Sequence, residues 1–178
     1  GGSTTPMRPD AGLPDPQGCL FPATTGVVDI PAFGFATPLQ PDGTGQFGVN
    51  YEDHGPPRTS FLLSFAEGAG VFTGGYATGT FDPFDYNPNN CGACLFLAGG
   101  HSVDFVIDDA TQIYLPTAGS LTLTAADPSV VNNPPSPSNY IGTFTNVQLQ
   151  GFETTNNTEI PCTVTVESLT FEFNVTWQ

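Results

Sequence analysis

The stretch that decides the fold is Phe81–Gly100, FDPFDYNPNNCGACLFLAGG. Its first half is rich in turn-forming asparagine and proline, and a close cysteine pair, Cys91 and Cys94, follows. The apolar run after the pair ends at two glycines, which is the pattern of a short strand buried on both faces. We therefore predict a loop that a covalent bond holds beside a buried strand.

Outside this stretch, apolar side chains alternate with polar or small ones over short segments, as strands require. The clearest segment follows Cys162. Val164 and Val166 share one face there and Phe171 and Phe173 share the next, so the alternation slips at 167–168 and predicts a bulge or a turn. The predicted strands are 26–30, 47–51, 61–65, 71–81, 94–98, 103–107, 112–115, 121–124, 141–149 and the segment after 162.

The composition supports the same class, because 21 glycines, 18 prolines and 15 phenylalanines leave few of the residues that favour helices. We predict an all-β fold, a jelly-roll-like two-sheet β-sandwich of about ten short strands. At 178 residues the chain suits one such domain, which we place at residues 19–178. Residues 1–18, with four prolines, are predicted to form an N-terminal arm.

The charge is strongly one-sided. The chain has 17 acidic residues against two basic ones, Arg8 and Arg58, and its net charge is -15. A surface of this sign repels phosphate backbones and anionic membranes, so nucleic acid is excluded as a partner. The absence of any apolar run of about 18 residues likewise predicts that no segment spans a membrane.

The four cysteines are predicted to form structural disulfides in an exported protein. A redox motif would need a helix after the pair, and a zinc site would need further ligands at close spacing. Four cysteines allow three pairings, which the sequence leaves open. One of them joins Cys91 to Cys94 and Cys19 to Cys162.

A calcium ion is the one cofactor that the sequence suggests. Asp82, Asp85 and Asn87 place oxygen atoms on the turn-rich segment, and Asp108 and Asp109 add carboxylates after a predicted strand. Calcium takes six to eight oxygen ligands and needs no fixed motif. The alternative is that these residues only form turns.

No catalytic constellation is apparent, so we predict no catalytic residues and a protein that is not an enzyme. His54 and His101 are the only histidines, and the Gly-x-Ser-x-Gly motif of many serine hydrolases is absent. Carboxylates are numerous, but a glycosidase pair is defined by a separation that the sequence does not contain.

Four segments together resemble a group of uncharacterised exported proteins and lipoproteins of myxobacteria and their relatives. They are ATGTFDPFDYNPNNCGACLFLAGG, AGSLTLTA, GTFTNVQLQGFE and PCTVTVESLTFEF, within residues 76–174. The resemblance implies an exported β-domain and brings no catalytic residues. The start of the chain, GGST, resembles the region after a lipid-bearing cysteine, which implies an anchor on a residue preceding Gly1.

We therefore expect a non-enzymatic structural protein, extracellular or on the outer cell surface, whose copies assemble into a filament or surface layer. An edge strand or the N-terminal arm would dock on the next copy, and the arm residues that we expect to make this contact are Thr4, Pro6, Met7 and Leu13. The alternative is an adhesive module that binds glycan or matrix with the help of calcium.

Overall fold

The prediction of an all-β chain is confirmed. In the computed structural model, the residues described are 18–30, 36–39, 44–50, 58–101, 109–126 and 140–177, and they form nine strands and one short 3-10 helix, Gly70–Phe72. In chain order the strands are β1 (Thr24–Ile30), β2 (Ala36–Leu39), β3 (Thr44–Asn50), β4 (Arg58–Ala66), β5 (Gly79–Phe81), β6 (Ala93–His101), β7 (Gln112–Ala126), β8 (Tyr140–Glu153) and β9 (Thr158–Trp177).

The strands form one mixed sheet. Seven of them follow the order β1-β9-β8-β7-β6-β4-β3, while β2 pairs with the end of β9 and β5 pairs with β7. Both β1 and β2 run parallel to β9, and the other pairs are antiparallel. In a flat sheet β9 and β3 would lie five strand spacings apart, about 24 Å. However, β2 also contacts β3, so the sheet must curl into a half-barrel.

We expected about ten short strands in two stacked sheets, and the described residues show a different arrangement. The strands β7, β8 and β9 are 15, 14 and 20 residues long, and β7 joins two segments that we predicted separately. Because these long strands bend, one continuous sheet surrounds the core, and no second sheet is needed to cover it. The segment 71–81, which we predicted to be one strand, instead contains the end of the 3-10 helix and, at its other end, the three residues of β5. The predicted strand at 103–107 lies outside the described residues.

The long strands bend along one line of backbone irregularities that crosses four strands. We call it the phase-shift line, and its members are Gly26 of β1, Glu167 of β9, Asn146 of β8 and Gly119 of β7. Three of them have positive φ, with Gly26 at 67°, Asn146 at 49° and Gly119 at 125°. The registers of the β1–β9 and β7–β8 pairs also shift here. Inserted residues of this kind bend a strand and increase its twist.

The phase-shift line also resets which side chains face inward. On β8, Phe144 and Val147 are both buried and the two residues between them are exposed. On β9, Val166 and Leu169 are both buried and the two residues between them are not. The slip that we predicted at 167–168 is therefore confirmed, and it is a bulge within one strand rather than a turn.

Aromatic rings fill the inside of the half-barrel. Tyr140 stacks on Phe171 with ring centroids 5.3 Å apart, and Phe171 stacks on Phe173 at 5.7 Å. Phe65 lies 4.8 Å from Tyr140 and extends the cluster onto β4. Large rings suit this interior because each buries a large apolar area and adjacent rings gain further from their mutual geometry.

Of the three pairings that the sequence left open, the structure shows the one that joins Cys91 to Cys94 and Cys19 to Cys162, and no cysteine is free. Cys19–Cys162 ties the segment before β1 to β9 across 143 residues, whereas Cys91–Cys94 closes a turn at the start of β6. Disulfides of this kind are typical of an oxidising, extracellular environment. The arm residues that we singled out, Thr4, Pro6, Met7 and Leu13, lie outside the described residues. Within the described residues, no helix is long and apolar enough to cross a membrane.

Replacing Gly119 with alanine should destabilise the protein by about 3 kcal/mol. A Cβ at this position would lie 2.7 Å from Cα of Val147, and φ at 125° disfavours any side chain. Gly74→Ala is the matched control, because no atom lies within 4 Å of its added Cβ and its φ is not positive. Urea unfolding of both variants measures the difference, and equal losses would show that the phase-shift line tolerates a side chain.

The two disulfides should stabilise the fold unequally, since a cross-link that closes a longer loop removes more entropy from the unfolded chain. On that basis the double variant Cys19→Ser, Cys162→Ser should lose about 5 kcal/mol and Cys91→Ser, Cys94→Ser about 2 kcal/mol. Denaturant unfolding of the two variants and the parent chain provides the measurement. A larger loss from the short-range pair would contradict this ranking.

Candidate functional site

One connection, residues 67–92 between β4 and β6, contains four of the residues that the sequence analysis singled out, namely Asp82, Asp85, Asn87 and Cys91. We call it the core loop. It contains the 3-10 helix and β5, and it lies beside β7. β6 pairs with β7 only at Leu97–Gly99, and β5 pairs further along β7 at Leu121–Leu123. The hydroxyl of Tyr86 donates a 2.7 Å hydrogen bond to the carbonyl of Gly119, so the core loop is attached to the phase-shift line.

Aromatic side chains anchor the core loop inside the half-barrel. Phe72 and Phe84 are buried, and Phe84 meets Phe144 of β8 edge to face at 5.0 Å. Tyr76 lies 5.0 Å from Phe72 and 6.3 Å from Phe65 of β4. Because these rings belong to the main core, the core loop is part of the folded interior and does not merely cover it.

Asp85 organises the backbone of the core loop. Its carboxylate accepts hydrogen bonds from the backbone N–H groups of Val71 at 3.0 Å, Gly92 at 2.8 Å and Ala93 at 3.1 Å. These donors come from the 3-10 helix and from the start of β6. One half-buried carboxylate thus holds two distant chain segments together. Gly70 passes so close that a Cβ there would overlap the carboxylate.

The predicted calcium ligands are placed as follows. Asp85 directs its oxygens at amide groups, and Asn87 Oδ1 accepts the N–H of Asn89 at 3.0 Å. Asp82 and Asp109 are exposed, and Asp108 lies outside the described residues. Within the described ranges no three acidic, histidine or cysteine side chains gather as a metal site would require. The calcium site therefore stays a prediction.

A serine–histidine pair lies on the other face of β4 and β6. Ser60 and His101 are both 0% exposed, and a 2.9 Å hydrogen bond joins Ser60 Oγ to His101 Nε2. Hydrolases use the same two groups, but a nucleophile must reach its substrate, and neither side chain of this pair reaches solvent. The pair was not predicted, because only the β4–β6 register brings two residues 41 positions apart into contact.

Gln112 is a second buried polar residue that the sequence did not reveal. Its Nε2 donates to the carbonyl of Gly18 at 2.6 Å, and its Oε1 accepts the N–H of Leu20 at 3.2 Å and the hydroxyl of Tyr114 at 2.6 Å. These bonds hold the segment around Cys19 against the first residue of β7. The role of Gln112 is therefore to position the chain that leads into β1.

The strand β1 forms one end of the sheet. It pairs with β9 on one side, and within the described residues no strand lies on its other side. Val27 on this strand is 71% exposed, and it is the one large hydrophobic side chain that is so exposed among the residues described. Unpaired edges of this kind are natural places for another strand to add.

A row of hydroxyl groups leads across the outer face of the sheet to this edge. The register aligns Thr80 of β5, Thr122 of β7, Thr143 of β8 and Thr170 of β9. Thr170 donates a 2.5 Å hydrogen bond to the carboxylate of Asp29 on β1. Threonine is favoured on such a face because its branched side chain packs on the pleated surface while its hydroxyl stays hydrated.

Two tyrosines in or beside the core loop have shifted acidity. Burial, reinforced by Tyr76 and the carboxylate of Asp85, raises the pKa of Tyr140 far above its ordinary value. Burial and the charge of Asp82 also raise the pKa of Tyr86, although its hydrogen bond to Gly119 acts in the opposite direction. Both hydroxyls therefore stay protonated at neutral pH and act as neutral groups of the interior.

No protein-family model matches this chain, and comparisons with curated proteins and with solved structures found no significant match. The resemblance to exported proteins of myxobacteria stays a prediction.

Asp85→Asn should cost on the order of 2 kcal/mol, because the three charge-assisted hydrogen bonds weaken and an amide N–H would face backbone donors. Asp82→Asn is the control, since Asp82 is exposed and carries the same chemical change. The free energies of unfolding of both variants in urea give the comparison. If the two substitutions cost the same, the Asp85 carboxylate does not hold the core loop.

Proposed function

We propose that this chain is a non-enzymatic structural protein of the extracellular space or the outer cell surface, and that its copies associate into larger assemblies. The observation that carries the proposal is the edge of the sheet at β1, which in the described part is open and bears the exposed Val27. An open edge presents backbone donors and acceptors that a further strand satisfies.

The way the polar interior is used supports a structural role. The carboxylate of Asp85 holds backbone amides, and Gln112 holds the segment before β1. His101 and Ser60 are bonded to each other out of contact with solvent. In each case a group that other proteins use for chemistry maintains the fold here.

The disulfides support the proposed location. Two bonds among four cysteines suit an oxidising environment outside the cell. Attachment to a surface through a lipid rests on the resemblance to exported lipoproteins alone. The calcium-dependent adhesive module also remains a prediction, because no contact of the described residues favours a sugar or an ion over the turn-forming roles given above.

Association of the full chain is the decisive property. Sedimentation velocity over a range of protein concentrations should show species larger than 18.6 kDa, and electron microscopy of concentrated samples should show filaments or layers. The chain unfolded in urea provides the monomer reference. A single monomeric species at every concentration and ionic strength would overturn the proposal.

A further inference from the structure

We infer that β1 pairs antiparallel with β1 of a second copy, about a two-fold axis at Val27, and that salt strengthens this contact. The inference rests on the proposed function and specifies which surface and which partner would start the assembly. A second copy offers the same seven-residue strand, so the contact is self-complementary by symmetry.

The side chain at the axis suits a pair of this kind. Val27 is 71% exposed in the single chain, and a two-fold axis there places it opposite its counterpart. Opposed β-branched side chains on neighbouring strands pack against each other and remove apolar area from water. A pair of seven-residue strands is small beside the interfaces of about 1,200–2,000 Å² that stable dimers form. The association should therefore be reversible and depend on concentration.

Charge selects this edge as the contact between like-charged copies. At a net charge of -15, two copies repel wherever their acidic surfaces meet. The strand β1 carries one acid, Asp29, whose carboxylate already accepts the hydroxyl of Thr170. Antiparallel pairing about Val27 places Asp29 opposite the segment Thr24–Gly26 of the second copy, which contains no acid. No acid of β1 then faces another acid.

Among the described residues, the strand that pairs with β1 is β9, and it bears two exposed acids beside the paired segment, Glu167 and Glu172. In the paired state the two β9 strands would lie three strand spacings apart, about 14 Å. The Debye length is about 8 Å at physiological ionic strength and about 30 Å at 10 mM salt. Repulsion between the β9 strands is therefore largely screened at physiological salt and is felt at low salt.

Whether salt strengthens or weakens binding at the β1 edge distinguishes a second copy of this chain from a different protein bound there. A basic strand from another protein would be attracted by the net charge of -15, and salt would weaken that complex. Self-pairing of β1 predicts the opposite response, with association increasing from about 10 mM to about 150 mM salt.

Two pairs of matched variants of the full chain test the contact. Val27→Asp places a charge at the axis, and Thr124→Asp adds the same charge at an exposed position on β7, away from the edge. In sedimentation experiments at about 150 mM salt, Val27→Asp should lower the association constant at least about tenfold, while Thr124→Asp should retain most of it. Circular dichroism verifies that both variants fold.

Cysteine cross-linking reports the symmetry directly. The four native cysteines are bonded in pairs, so Val27→Cys or Thr124→Cys introduces a single free thiol. Under mild oxidation Val27→Cys should form covalent dimers at least about tenfold faster than Thr124→Cys, with peptide mapping locating the new bond between the two introduced thiols. The excess should shrink at low salt and vanish in urea.

The outcomes are distinguishable. If the parent chain associates and both Val27 variants behave like their Thr124 controls, or if salt weakens association, the β1 contact is wrong while the structural function stands. A parent chain that never associates contradicts the function itself. Loss of association in Val27→Asp together with rapid cross-linking of Val27→Cys supports the β1 pair.

Discussion

The phase-shift line is the constraint on which the rest of this structure depends. Strands of 14 to 20 residues would run straight past a small core, but an extra residue at one level of β1, β9, β8 and β7 turns all four together. Because inward-facing positions change phase at the same level, Phe144 and Val147 of β8 and Val166 and Leu169 of β9 all stay buried as the sheet curls. A single sheet thereby encloses an interior that we had expected two sheets to share.

The curl leaves a space that the core loop fills. Phe72 and Phe84 pack among the rings of the sheet, and Tyr86 bonds the backbone at Gly119. The loop keeps its shape because Asp85 accepts amides from both of its ends. Sheet and loop thus support one another, and the hydrogen bond from Tyr86 to Gly119 joins them directly.

This mutual dependence bears on function, because it assigns the polar interior to maintaining the fold. We therefore place the proposed contact with other copies on the outer surface. That surface is acidic, and one row of threonine hydroxyl groups crosses it to the edge at β1. For a chain with so few positive charges, a contact with a copy of itself is favourable only where acids are sparse and well separated. The place that we propose for the contact and the salt response that we expect therefore share one physical origin.

The alternation of side chains was enough to predict an all-β chain, the strand from Cys94 and the slip at 167–168, because these depend on local periodicity. The even number of cysteines was likewise enough to predict that disulfides form, because a count needs no structure. Pairing was decided by the tertiary structure, since Cys19 and Cys162 meet only after β9 is in place. The same holds for Ser60 with His101 and for Gln112 with Gly18, whose partners are far away in the chain. Long-range register also decided that there is one curled sheet instead of two and that, among the described strands, β1 has an open edge. The pattern of residues alone does not contain that register.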